Sequence, residues 1–119
     1  MSFPSYQIAS ANDVSAPASN TAAVVTYAAN PVFAHVITGI ACSYSGTPTG
    51  GNLKVEDGSN NVVFTVDITD ASAKTFYFDP NKQGAALNTA MIITLAAGGG
   101  GITGKVSVLG YYLRQPLNS

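Results

Sequence analysis

Apolar and polar positions alternate along most of this chain with a period of two, the spacing of strands rather than helices. The pattern is cleanest from Asn52 to Asp57, where Leu53 and Val55 fall on one side and Lys54 and Glu56 on the other. Asp57-Gly58-Ser59-Asn60-Asn61 follows, a hairpin signal. Val62 to Ile68 alternates again, with Val62, Phe64, Val66 and Ile68 on one face. Upstream, Ala34 to Tyr44 carries apolar residues on both parities: Val36, Ile40 and Cys42 on one, Ile37 and Ala41 on the other. That suits a strand covered on both faces. With the turn formers Ser45 to Gly51 between, these three runs read as an antiparallel meander at the centre of the fold.

The rest of the chain fits around this centre. Thr21–Ala29 is a β-rich run closed by Asn30-Pro31. Thr75–Phe78 is a short aromatic strand ended by Asp79-Pro80-Asn81. Ala90–Ala96 places Met91, Ile93 and Leu95 on one parity, and Gly104–Leu113 places Val106, Val108, Gly110 and Tyr112 on one face. Lys82 to Asn88 offers one helical turn, weakened by Gly84. Gly98 to Gly101 reads as a flexible hairpin loop. Seven or eight short strands without a convincing helix predict an all-β fold, an antiparallel β-sandwich of jelly-roll or immunoglobulin-like type, or a small barrel. Periodicity leaves the strand order open. Residues 1–20, with Pro4 and Pro17 and no periodic face, read as an extended N-terminal arm. Residues 21–113 form the sandwich, and 114–119 a tail broken by Pro116.

Composition narrows the classes of function. Of 119 residues only 9% are charged and the net charge is −1, against roughly 25% charged in an average globular protein. So thin a charge layer suits a chain whose surface meets other chains. The five basic residues, Lys54, Lys74, Lys82, Lys105 and Arg114, are scattered, which argues against nucleic acid as a partner. No apolar run approaches the roughly 20 residues of a membrane helix, and the N-terminal segment lacks the basic and apolar regions of a signal peptide. Neither membrane insertion nor classical export is expected.

Candidate chemistry is sparse. Cys42 is the sole cysteine and His35 the sole histidine. Seven residues apart on one strand, they stand about 23 Å from each other and on opposite faces, so no Cys–His pair forms. Cys42 reads as a small buried hydrophobe, and His35 as a structural or interface side chain. A serine triad using His35 stays open, although no GxSxG marks a nucleophile. Asp57-Gly58-Ser59-Asn60 lacks the ligand spacing of an EF-hand. Gly99 to Gly104-Lys105 has P-loop spacing, but Val106 stands where Ser or Thr is required and a strand follows instead of a helix. No catalytic residue, cofactor or metal is expected. Phe76, Tyr77, Phe78, Tyr111 and Tyr112 put aromatics on both faces of their strands, and the outward ones suit an interface.

The run VVTYAANPVFAHVITGIACSYSGTPTGGNLKVEDG, with VVFTVDIT and ITLAAGGGGITGKVSVLGYY, resembles small virion structural proteins of tailed phages, most of all capsid decoration (cement) proteins. The resemblance spans about three quarters of the chain and is one of composition and style. It implies a small β-sandwich, often trimeric, that sits on the capsid surface of a virion and binds major capsid protein subunits, with itself as a second partner. The expected interface residues are Phe3, Tyr6, Ile8, Tyr111, Leu113 and Leu117. The alternative expectation is a carbohydrate- or receptor-binding adhesion module of a virion, which would show a concave aromatic face.

Overall fold

In the computed structural model, residues 6–10, 13–58, 61–83 and 89–114 are described. They form nine strand segments: β1 Tyr6–Ser10, β2 Asp13–Ser15, β3 Ala23–Tyr27, β4 Ala34–Tyr44, β5 Asn52–Asp57, β6 Val62–Asp67, β7 Lys74–Gln83, β8 Met91–Leu95 and β9 Gly104–Arg114. Two antiparallel sheets result. One runs β1-β9-β4-β7 with β2 also on β9, and the other runs β3-β8-β5-β6. β1 and β2 follow each other along the same strand, β9, and so act as one broken strand.

The pairing is nested. That broken first strand pairs with the last, β3 with β8, β4 with β7, and β5 with β6. Rolling the ribbon up adds β4–β9 and β5–β8. This is the jelly roll, and it decides between the sandwich types left open by periodicity. Among the described connections β5–β6 is a hairpin, with Gly58 at φ 84° and the Asp57 amide donating to the Asn61 carbonyl. The meander expected for β4-β5-β6 is therefore broken after β4, because residues 45–51 carry the chain from one sheet to the other. Gly98–Gly101 is likewise a crossover between sheets and not a hairpin loop. It is tied down: the Thr49 amide donates to the Gly98 carbonyl, Ile102 to Gly99, and Ser45 to Thr103. The Tyr44 hydroxyl also donates to the Ala96 carbonyl at 2.6 Å.

The core lies between the sheets. Ile37, Ile40, Leu53, Val55, Met91, Ile93, Leu95 and Val106 are fully buried there, and each aliphatic side chain so buried stabilises the fold by about 1.5–3 kcal/mol. Alternation places the three residues of β8 and the two of β5 as expected. In β4 the parity switches: Ile37 faces the core, and so do Ile40, Cys42 and Tyr44. The reason is a register shift on both sides of Gly39. Leu109 is the matching extra residue in β9, so that Tyr111, and not Gly110 or Tyr112, continues the core face of Val106 and Val108. Gly39 and Gly110 sit opposite each other at this bulge, and a Cβ on Gly110 would collide with the Thr38 hydroxyl. Covering on both faces does hold in the first half of β4, where Ala34, His35, Val36 and Ile37 are all buried.

Further elements differ from expectation: Val62, expected on one face with Phe64 and Val66, lies on the outer face opposite Glu56, past an irregularity in the β5–β6 register. β7 does not stop at Phe78 but continues to Gln83 after an irregular stretch, its register passing from Tyr77↔Gly39 to Lys82↔Ile37. An edge strand tolerates Pro80, because its outward amide has no ladder partner to lose. Lys82 and Gln83, expected in a helical turn, are strand; the rest of that turn, 84–88, lies outside the described residues. Tyr6–Ser10 and Asp13–Ser15, expected within the arm, pair with β9 of the same sandwich.

Candidate functional site

Polar chemistry gathers at one place inside the sandwich. β3 supplies Tyr27, β4 His35 and β9 Tyr111. The Tyr27 and Tyr111 rings stack with centroids 3.6 Å apart and planes 3° from parallel. His35 Nδ1 lies 2.5 Å from the Tyr111 hydroxyl. The Tyr27 hydroxyl donates to Asp13 Oδ2 at 2.5 Å, and the Val24 amide donates to Ser15 Oγ at 3.1 Å. These two bonds tie β2 in the first sheet to β3 in the second. Nearby, buried Asp57 accepts a hydrogen bond from Thr89 Oγ1 at 3.1 Å.

The electrostatics are those of a closed interior. Burial lowers the His35 pKa, partly offset by the Thr89 and Ala28 backbone and by Asp57, so the ring is neutral near pH 7. His35 Nδ1 and the Tyr111 hydroxyl share a hydrogen bond whose direction is set by the ring tautomer. Burial raises the Tyr27 pKa, and the Asp13 carboxylate raises it further. Tyr111 is pushed up to about 12 by burial and by Asp13. Burial likewise raises the Cys42 thiol. His35 is 2% exposed. The bulge places His35 and Cys42 on the same, inward face of β4, correcting the opposite faces expected from parity, while seven residues of strand still separate them. Among the described residues no group of three or more His, Cys, Asp or Glu is placed to hold a metal ion.

The two outer faces differ sharply. Cross-strand partners share a face. On the four-stranded sheet one row reads Val24, Thr94, Lys54, Thr65 and the next Thr26, Ile92, Glu56, Val62. Lys54 and Glu56 form an ion pair there at 3.7 Å. On the five-stranded sheet the row across β2, β9, β4 and β7 is Val14, Ser107, Ala41, Thr75. Beyond it come Leu109, Gly39 and Tyr77; before it come Ser43 and Lys105. Lys105 is the charged side chain among these. Val14 is 60% exposed, Tyr77 76% and Leu109 38%. Tyr77 stands over Gly39, where a Cβ would come within 3.0 Å of its ring. A hollow of about 170 Å³ on the same face is lined by Ala41, Cys42, Ser43, Ala73, Lys105 and Ser107. A larger, open depression of about 350 Å³ lies at the sandwich end, lined by Pro48, Gly50, Gly51, Asn52, Asp67, Ile68 and Thr69, with no aromatic ring.

Of the residues expected at an interface, the side chains of Tyr111 and Leu113 are described. Tyr111 is corrected to an inward residue, 6% exposed and stacked on Tyr27. Leu113 is half-buried against the core. Tyr6 and Ile8 lie on β1, opposite Arg114 and Tyr112. Phe3 and Leu117 lie outside the described residues. The sequence reading missed Val14 and Leu109. Val14 sits in a three-residue strand too short to show alternation, and Leu109 is turned outward by the bulge. Tyr77 was not among the expected interface residues either, although its place between the inward Phe76 and Phe78 was the signal for it.

The chain is a jelly-roll β-sandwich. No family model matches it, and no curated protein does. Solved structures that it is similar to include a CBM4 protein, at 15% identity over 92% of this chain and 75% of that one, TM-score 0.44. They include the coat protein of Tobacco streak virus, at 12% identity over 96% and 86%, TM-score 0.35. A family 11 carbohydrate-binding module from Clostridium thermocellum, in complex with a mixed-linked tetrasaccharide, matches at 10% identity over 96% and 89%, TM-score 0.33. At these values the likenesses are of fold class and carry nothing about ligand or partner.

Proposed function

We propose that this chain is a non-enzymatic structural protein of a virion. It decorates the capsid surface of a tailed phage, binds major capsid protein subunits and associates with itself. The observation that carries the reading is the exterior. Val14, Val24, Val32, Val62, Tyr77 and Leu109 are exposed large apolar side chains, on a chain with 9% charged residues. Exposed apolar side chains beside so thin a charge layer suit a surface that meets other chains. The resemblance to tailed-phage virion proteins supplies the kind of assembly. In the polar cluster Tyr27, His35 and Tyr111 are buried.

The adhesion alternative needs aromatic rings exposed around a concavity, to stack on sugar. Tyr77 is the exposed ring among the described side chains, and the larger depression has none. Asn52 Nδ2 at its edge is already within 3.2 Å of Thr65, Val66 and Asp67 acceptors. The test is to mix purified protein with undecorated shells and with a glycan array, and to count bound copies. Saturable binding to shells and none to glycans is expected. Glycan binding without shell binding would reverse the choice.

A further inference from the structure

The broken first strand is attached to the sandwich by its backbone and a few polar bonds. We infer that it is exchanged between copies: each chain lays residues 6–15 along β9 of a neighbouring copy, in the register that the single molecule shows on its own β9.

Three observations lead there. Every buried apolar side chain described lies between Ala23 and Tyr111, so these side chains close a core without the segment. In β2, Val14 is 60% exposed and Asp13 and Ser15 are half-buried. β2 is held by its ladder with β9, Asp13 to Ser15 against Val108 to Val106, and by the bonds to the Tyr27 hydroxyl and the Val24 amide. It can leave without opening the interior. Second, the connection to β3 has the make-up of a hinge. Ala16, Ala18 and Ser19 are exposed, and at Asn20 the chain is tied to the body, its amide donating to the Ile102 carbonyl at 2.8 Å. Residues 16–19 are therefore the free length. Pro17 biases Ala16 to extended backbone and removes one amide from any turn, which favours a straight hinge over a reversal. Third, without the segment β9 is an edge strand of 11 residues, a template for an extended strand from another chain.

The fold selects the occupant. The β9 edge receives one strand, from Tyr6 against Arg114 to Ser15 against Val106, and a second copy offers that same strand with every partner unchanged. In the exchanged form Asp13 meets Tyr27 and Ser15 meets Val24 as before, across two molecules. Exchange of an identical element is a low-cost route to assembly, because it demands no new complementary surface. The contacts balance between the two forms, so the hinge decides, and its straight form serves the exchanged one. This deepens the self-association proposed above and rests on that reading for its place in an assembly. Its test uses the purified chain alone, so exchange and shell binding can fail separately.

The experiment links the segment to its strand. Val14 and Ser107 are direct cross-strand partners on the outer face, and such neighbours have Cα atoms about 4.5–5.5 Å apart, within the span of a disulfide. Val14→Cys and Ser107→Cys chains are purified separately, unfolded, refolded together in equal amounts at high concentration, and oxidised. Circular dichroism checks each fold. Peptide mass spectrometry counts disulfides that join position 14 of one variant to position 107 of the other. Exchange predicts such a link in about half of the Val14→Cys chains, the share for partners drawn at random from two equal pools. The double variant, refolded alone, shows whether the same link forms within one chain. Absence of the link between the mixed variants would overturn the exchange. A double variant that then closes within its own chain would place the segment on its own β9, and one that does not close would take it off β9.

Discussion

Removing one hydroxyl tests how the two sheets are held at the β2–β3 corner. Tyr27→Phe keeps the ring and its stacking on Tyr111, and deletes the 2.5 Å bond from the Tyr27 hydroxyl to Asp13 Oδ2. A hydrogen bond to a charged group is worth about 1.5–3 kcal/mol net. Asp13 is only half-buried, so water recovers part of the loss, and the lower half of the range, about 1.5–2 kcal/mol, is expected. Urea unfolding followed by circular dichroism measures it, with an unchanged m-value as the sign that the denatured state is the same. Asp13→Ala and the double variant complete a cycle. Because both single changes break the same contact, the double variant should cost little more than either alone. Additive costs, or a loss below about 0.5 kcal/mol for Tyr27→Phe, would show that this bond does not hold β2 to the second sheet.

The buried titratable groups set a pH window. The lowered His35 pKa gives stability that is present above about pH 6.5 and lost as pH falls towards the folded value. The raised Tyr111 and Tyr27 values give stability present below about pH 10 and lost as pH rises towards the folded Tyr111 value of about 12. A pH series of unfolding midpoints should show a plateau between these limits, and His35→Ala should abolish the acid-side slope that this residue causes. Gly110→Ala should destabilise by about 1–3 kcal/mol, the usual cost of overpacking, because its Cβ meets the Thr38 hydroxyl at the bulge. Thermal unfolding checks it, and an unchanged midpoint would mean that the bulge relaxes freely. His35→Ala and Cys42→Ser should leave shell binding intact apart from a stability cost. Loss of binding by a folded variant would give these side chains a direct role.

Much of the fold was legible, because a strand with one buried face must alternate. Leu53 and Val55, and Met91, Ile93 and Leu95, announced β5 and β8 with their inward sides. What alternation cannot carry is the partner of each strand. Residues 45–51 and 98–101 look like hairpin turns because turn chemistry is local, whereas the nested pairing that sends both across the sandwich is not. The bulge was hidden for a related reason. A single extra residue inverts the parity downstream, so Tyr111 took the place expected for Tyr112. The two glycines opposite each other, Gly39 and Gly110, were its sequence signal. The outer face of the five-stranded sheet was illegible as a patch, since Val14, Ala41, Thr75, Tyr77 and Ser107 meet only once four strands are in register.

The most direct test of the structural-virion reading is to quantify this chain by mass spectrometry in intact particles purified from lysates of cells that carry its gene. The account predicts a fixed, high copy number relative to the major capsid protein, retained through gradient purification and lost from shells assembled without it. Particles that lack the chain altogether would contradict it.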